Sequence, residues 1–194
     1  AFKPFVYLAA LDMNIKPTEL ILDAPLSYDQ GPGLPKWKPA NYSKKFYGPS
    51  PMRLGIEKSR NLMTARLALL VKMKKIKFYA KKFGINDDLP ELLSMSLGAG
   101  ETTLLKLTNA YGMIVNGGKK TNYSFIDRVQ DRRGKTIMKN DLRDCHSCNS
   151  VDIVDEKKIP QIQDEREKVT DPGSAYQMVS MLRGAVLRGT GRLV

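Results

Sequence analysis

The sequence predicts an α+β fold that is mainly helical and carries one short β-hairpin. Two patterns lead there: apolar residues at helical spacing in segments near 3–13, 50–83, 103–115 and 171–188, and a change to period two between 123 and 138. A third observation sets the class of molecule. With 194 residues, 42% hydrophobic and 27% charged, the chain has the length and composition of one globular domain, or part of one, with a proper core.

The first helix is expected over Lys3 to Met13, where apolar side chains occupy nearly every position, with Asn14 and Pro17 closing it. Pro25 to Pro51, rich in Pro, Gly, Tyr and Asn and without a sustained period, reads as an ordered loop. Ser50-Pro51 suits a cap followed by proline in the first turn of a helix that Met52, Ile56 and Leu62 continue. Gly84 and Asn86 end the next helix. Thr103 to Val115 places Leu104, Leu107, Tyr111 and Ile114 on one face, and Asn116-Gly117-Gly118 stops it. Tyr123, Phe125 and the residues to Val129 then read as a strand, Asp131 to Gly134 as a turn, and Lys135 to Met138 as the returning partner. Asp141 to Lys168 is polar, charged and aperiodic, an exposed insertion. Asp171-Pro172 caps a last helix to about Arg188, with Tyr176, Val179, Leu182 and Val186 on one face.

The formal charge of +12 raises the question of an anionic partner. Much of the excess lies in Lys72, Lys74, Lys75, Lys77, Lys81 and Lys82, which point around a helix rather than along a stripe, an arrangement that favours a solvated face. A nucleic-acid module lacks support: no known DNA or RNA motif accompanies the basic run. No stretch of about 18 apolar residues is present. The opening Ala1-Phe2-Lys3-Pro4-Phe5 has neither the charged start nor the cleavage site of an export signal and reads as the interior of a longer protein. Cys145 and Cys148, with His146 as the single histidine, give too few ligands for zinc, and no metal or cofactor is expected. A small disulfide pinning a surface loop is preferred, provided the compartment is oxidising.

Two places carry potential chemistry. Lys3 stands between Phe2 and Pro4, where desolvation would disfavour its charged form and make it a usable base; a solvated lysine is the plainer alternative. Ser59-Arg60-Asn61 opens an amphipathic helix, so a hydroxyl and an amide two residues apart can face a cleft, although such a triplet is common by chance.

Taken together and in order, several segments resemble the class A, bifunctional penicillin-binding proteins. Phe2-Lys3-Pro4-Phe5-Val6-Tyr7 is similar to the surroundings of that family's catalytic lysine, in the pattern Ser-X-X-Lys. Trp37-Lys38-Pro39-Ala40-Asn41-Tyr42 resembles the loop before its second motif, Ser-X-Asn, which Ser59-Arg60-Asn61 matches. Leu97 to Thr103 and Ala110-Tyr111 to Asn116-Gly117-Gly118 resemble its Leu-Gly to Asn-Gly-Gly stretch. Arg188-Gly189-Thr190-Gly191-Arg192 is similar to the segment just before its third motif, Lys-Thr-Gly.

The resemblance implies a partial transpeptidase domain of the penicillin-binding and β-lactamase-like fold: a helical part over 1–118, the hairpin over 119–139, a polar insertion over 140–169 and the C-terminal helix over 170–194, with the main antiparallel sheet largely outside the chain. It implies peptidoglycan D,D-transpeptidation through an acyl-serine, with Lys3 and Ser59 catalytic and Asn61 binding substrate. The family's nucleophile, three residues before the lysine, falls one position before Ala1, and Lys135-Thr136-Ile137 lacks the glycine of the third motif, so these 194 residues alone are expected to be inactive. Implied partners are stem peptides, the lipid-linked precursor and β-lactam antibiotics. An upstream glycosyltransferase domain, a membrane anchor and a place on the periplasmic face of the inner membrane are implied as well. The competing expectation is a basic module that docks cell-wall or nucleic-acid partners.

Overall fold

A computed structural model describes residues 1–33, 35–141, 143 and 164–192. The expected disulfide between Cys145 and Cys148 and most of the polar insertion lie outside the described residues. The chain divides into one unit of Ala1–Lys120 with Lys168–Val194 and a second of Thr121–Glu167.

In the first unit, helix α1 (Lys3–Leu11) carries proline in its first turn, where the missing N–H breaks no helical bond. Every residue from Pro4 to Leu11 is buried, so this helix is apolar all round because it is the centre of the core. It packs on α3 (Asn61–Val71), α4 (Met73–Lys82) and α6 (Pro172–Arg188). Phe5 meets the rings of Phe83 and Tyr111 edge-on at 5.3 and 5.6 Å. Asp12, just past the end of α1, accepts hydrogen bonds from the hydroxyls of Tyr79 and Thr170, tying α4 and the approach to α6 to the same point.

Two strands lie where a loop or nothing was expected: β1 (Leu20–Asp23) pairs antiparallel with β2 (Gly48–Pro51), Leu20 opposite Pro51 and Asp23 opposite Gly48. Gly-Pro-Ser-Pro has little strand propensity, and only the pairing makes it a strand; its prolines are tolerated because a two-stranded ribbon consists of edges. Ser50 is not a helix cap. Pro51 occupies that position without a side-chain bond, and the Ser50 hydroxyl instead donates to the Gly48 carbonyl and accepts from Arg60 Nη1 at 2.9 Å.

Helix α2 (Met52–Glu57) is short, and α3 and α4 are separated only by Lys72, whose φ of 72° breaks the helix. On α4, Ile76, Tyr79 and Ala80 face the core while the lysines spread over the exposed and partly exposed arc; Lys77 pairs with Asp88 at 2.7 Å. A 3₁₀ turn at Leu93–Leu97 precedes α5 (Leu104–Val115), which Thr103 caps by accepting from the Lys106 N–H. The expected apolar face of α5 needs correcting at Leu104, which is 82% exposed while Ile114 is buried.

The cap on α6 is the expected one: Asp171 Oδ2 accepts from the Gly173 and Ser174 N–H groups at 2.7 and 3.1 Å. Its buried face is not. Ala175, Met178, Met181 and Gly184 point inward, whereas Tyr176 and Val186 are exposed and Val179 and Leu182 only partly covered. Both stripes are apolar at helical spacing, so periodicity alone does not choose between them.

The C-terminal end of α6 is held to α2. Arg188 makes two bonds to the buried Glu57 carboxylate, at 3.0 and 2.5 Å, and Arg53 Nε approaches the same carboxylate at 3.4 Å. Lys58 Nζ donates to the Arg188 carbonyl at 2.5 Å and the Thr190 N–H to the Glu57 carbonyl at 3.1 Å. A Cβ at Gly189 would collide with the Glu57 carbonyl and lie 2.7 Å from the Ala185 backbone, so only glycine lets the chain pass here. Arg188→Ala leaves Glu57 buried with Arg53 as its one cationic neighbour, and a loss of about 1–3 kcal/mol is expected in urea denaturation.

The second unit holds the hairpin of β3 (Arg128–Gln130) and β4 (Thr136–Lys139), with an irregular register at Val129/Gln130. It is shorter than expected: Tyr123 and Phe125 lie outside the strands and are exposed. Among the described residues no helix is long and apolar enough to cross a membrane.

Candidate functional site

The residues singled out at the start of the chain and in its middle meet in space. Lys3 Nζ donates to Asn61 Oδ1 at 2.6 Å, to the Ser59 carbonyl at 2.7 Å and to Ser59 Oγ at 3.0 Å. These are three acceptors for the three protons of an ammonium. No carboxylate is among them, and burial pulls the pKa of Lys3 down from 10.5 to about 8.

The turn that brings Ser59 there is a helix stop. The Ser59 N–H bonds the Ile56 carbonyl at 3.1 Å and the Arg60 N–H bonds the Gly55 carbonyl at 2.8 Å, the two bonds of a Schellman ending to α2. That ending requires a left-handed residue, usually glycine; here it is Ser59, at φ 52°. A non-glycine residue in this region costs on the order of 1–2 kcal/mol, strain held where the hydroxyl is presented to Lys3.

Arg60 returns to extended backbone and Asn61 starts α3. The Arg60 side chain lies over the Tyr47 ring at 4.0 Å and beside Asp23 Oδ2 at 3.6 Å, with Nη1 3.9 Å from Met63 Sδ on α3. The first amides of α3 are capped from another segment: Asn41 Oδ1 accepts from the Asn61 N–H at 2.9 Å and the Leu62 N–H at 3.2 Å. Asn41 Nδ2 donates to Asp23 Oδ1 at 2.8 Å and to the Lys45 carbonyl at 2.9 Å. The side chain of Asn61 is also held, Nδ2 donating to the Ala40 carbonyl at 2.8 Å.

One turn further along α1, Tyr7 is buried with its hydroxyl 3.2 Å from Thr64 Oγ1, and Thr64 donates to the Arg60 carbonyl at 2.8 Å. Burial pushes the Tyr7 phenol above its ordinary range, so it remains a neutral prop under the turn.

Ser59, Arg60 and Asn61 line an open cleft of about 690 Å³ with Tyr42, Tyr47 and Thr190. The segment resembling the approach to a third motif therefore reaches the same cleft as the Ser-X-Asn triplet. Among the described residues no group of three or more histidine, cysteine or acidic side chains is placed to hold a metal. Lys3, Ser59 and Asn61 were legible in advance; Asn41 and Asp23 were not singled out. Asn41 lies within the Trp37 to Tyr42 segment that carries part of the resemblance, and Asp23 has no local signal; only the fold makes it a buried acid at the end of β1.

The family model for the penicillin-binding protein transpeptidase domain matches residues 1–193. The chain belongs to the penicillin-binding protein transpeptidase family. Within it, the chain is 49% identical over 189 residues to penicillin-binding protein 1A of Rickettsia bellii, covering 97% of this chain and 24% of the relative. It is 33% identical to the protein of the same name from Neisseria meningitidis, over 98% of this chain and 22% of the relative. The chain thus spans about a quarter of the curated relatives it matches. Among solved structures, penicillin-binding protein 1A of Haemophilus influenzae superposes with a TM-score of 0.80 at 27% identity, covering 97% of this chain and 29% of that one. The imipenem acyl-enzyme of penicillin-binding protein A from M. tuberculosis shares the fold, with a TM-score of 0.69 at 18% identity over 95% of this chain and 42% of that one. The helices and short strands are those of part of a penicillin-binding transpeptidase domain.

Proposed function

We propose that the protein carrying this chain is a peptidoglycan D,D-transpeptidase that works through an acyl-serine and is inhibited by β-lactams. The observation that carries the reading is the contact of Lys3 Nζ with Ser59 Oγ and Asn61 Oδ1, at a lysine whose pKa is lowered to about 8 without an acidic neighbour. An amine with that pKa is a base near neutral pH, and an unperturbed lysine is not.

In this reading the nucleophile is a serine three positions before Lys3, outside the 194 residues. Neutral Lys3 takes the proton from that hydroxyl as its oxygen attacks the carbonyl of the penultimate D-Ala of a stem peptide. The peptide bond to the terminal D-Ala breaks, and the leaving amine takes a proton passed from Lys3 through the Ser59 hydroxyl. An amine from a neighbouring stem then attacks the acyl-serine carbonyl and passes its proton through Ser59 to Lys3, the ester bond to the serine breaks, and Lys3 returns the proton to the serine oxygen. Asn61 holds the substrate amide. A β-lactam follows the first half of this path and stalls as an acyl-serine; a structure of penicillin-binding protein A from M. tuberculosis is an imipenem acyl-enzyme complex.

The reading extends to an upstream glycosyltransferase acting on the lipid-linked precursor, a membrane anchor and a periplasmic site of action, with roles in cell shape and antibiotic resistance. The relatives' fourfold greater length leaves room for the further domain and anchor, and the rest of this wider part follows from the family resemblance.

Two measurements test it. Intact mass before and after incubation with a penicillin should show one adduct on the full-length protein and none on the 194 residues alone; an adduct on the short chain overturns the assignment of the nucleophile. The second-order acylation rate of the full-length protein should rise with pH through about 8 as Lys3 loses its proton. Stability should change in the same direction. The folded state disfavours protonated Lys3, so this penalty is fully present below pH 8 and fades as pH rises toward the ordinary value of 10.5, a slope that Lys3→Met removes.

A further inference from the structure

We propose that Asn41, oriented by Asp23, is the positioning residue that sets the Ser59–Asn61 turn against Lys3. This inference rests on the functional reading above and adds a residue and a device to it.

The turn cannot hold itself. Ser59 sits in a disfavoured backbone region, and the cap position of α3 is Arg60, whose side chain makes no capping bond. The opening amides of a helix need an acceptor from outside it, and Asn41 Oδ1 serves those of both Asn61 and Leu62. Asn41 is 5% exposed and Asp23 is fully buried, so water does not substitute for either.

The direction of the Asn41 amide is decided by its other end. Its NH₂ faces Asp23 Oδ1 and the Lys45 carbonyl, both acceptors; reversing the amide would set its NH₂ against two N–H donors and its oxygen against a carboxylate. Asp23 thereby dictates that an oxygen points at α3. The same carboxylate lies 3.6 Å from Arg60 Nη1, which anchors the middle residue of the Ser-X-Asn triplet. Ala40, the neighbour of Asn41, holds the Asn61 side chain through its carbonyl. Backbone and side chain of Asn61 are therefore both fixed by residues 40 and 41, and Asn61 is one of the three acceptors on Lys3. A displacement of about 1 Å at reacting groups can cost on the order of 100-fold in rate.

The network predicts a reciprocal pattern that a simple cap does not. Aspartate caps helices as well as asparagine does, so if Asn41 were only a cap, Asn41→Asp would be harmless. In the network it sets one carboxylate against another at a 2.8 Å contact. The acylation rate constant of full-length Asn41→Asp with a fluorescent penicillin, normalised to the fraction that labels, should fall roughly 100-fold. The swap Asp23→Asn with Asn41→Asp restores a donor facing a carboxylate, and at least tenfold of the loss should return. If wild type does not acylate, the functional reading fails. If wild type acylates and Asn41→Asp stays within about twofold of it, or the swap is as slow as the single variant, the positioning role is overturned. Should the variants not fold, hydrogen exchange on wild type decides: slow exchange at the Asn61 and Leu62 amides is expected, and exchange at the rate of an unstructured peptide overturns the proposal.

Discussion

Lys3→Met in the full-length protein is expected to lower the rate of penicillin acylation by about 10²–10⁴-fold, the range over which a positioned general base contributes. Methionine keeps the length and apolar character of the side chain, so the variant removes the base and leaves the packing of α1, whose following eight residues are all buried. The loss should be one of rate with little change in melting temperature. Because burial depresses the pKa of Lys3 and no carboxylate pairs with its amine, removing the amine leaves no carboxylate unpaired, and stability below pH 8 should rise slightly. A variant that acylates at the wild-type rate would show that Lys3 is not the base. A variant that fails to fold would be recognised by the loss of its melting transition.

The second large effect is at Ser59, where chemistry and conformation pull in opposite directions. Ser59→Ala and Ser59→Gly both remove the hydroxyl that accepts from Lys3 Nζ at 3.0 Å, and each should slow acylation by roughly 100-fold, within the range for a lost proton-transfer group. Their stabilities should differ. At φ 52° alanine keeps the strain of a left-handed residue, whereas glycine releases it and should stabilise the turn by about 1 kcal/mol. Denaturation of the two variants alongside rate measurements separates the effects. Equal stability would mean that the turn stores no strain, and full activity in either variant would remove Ser59 from the proton path.

Much of the helical framework was legible because caps and stops are local chemistry. Asp171 followed by Pro172 starts α6 and Asn116-Gly117-Gly118 ends α5, each where the side chains and the permitted φ values demand. Which apolar stripe of α6 faces inward was not legible. Ala175, Met178 and Met181 form a stripe as plausible as Tyr176, Val179 and Val186, and the choice depends on which neighbours α1 and α5 present. The β1–β2 ribbon was missed for a related reason: Gly-Pro-Ser-Pro becomes a strand only when Leu20–Asp23 offers it a partner.

In the candidate site, Lys3, Ser59 and Asn61 stood out through motif order, since the spacing of Ser-X-Asn and the Phe-Lys-Pro-Phe surroundings are properties of short segments. Asn41 and Asp23 have no such local signature. An asparagine in a loop and an aspartate at a strand end are common, and these acquire meaning only because Asn41 bonds the start of α3 from 20 residues away and Asp23 accepts from Asn41 across 18.

By itself the sequence determined where α1, α5 and α6 run, the Asp171 cap and the family motifs, because each depends on side chains within a few residues of one another; the start of α2 without a Ser50 cap and the capping of α3 by Asn41 did not follow from it. The tertiary structure decided three further things: that 56 residues of separation close to a 3.0 Å contact between Lys3 and Ser59, that a serine takes the strained place of a glycine, and that the amide of Asn41 points its oxygen at α3. These depend on burial and on donors and acceptors contributed by distant segments, and burial is a property of the packed chain rather than of any segment within it.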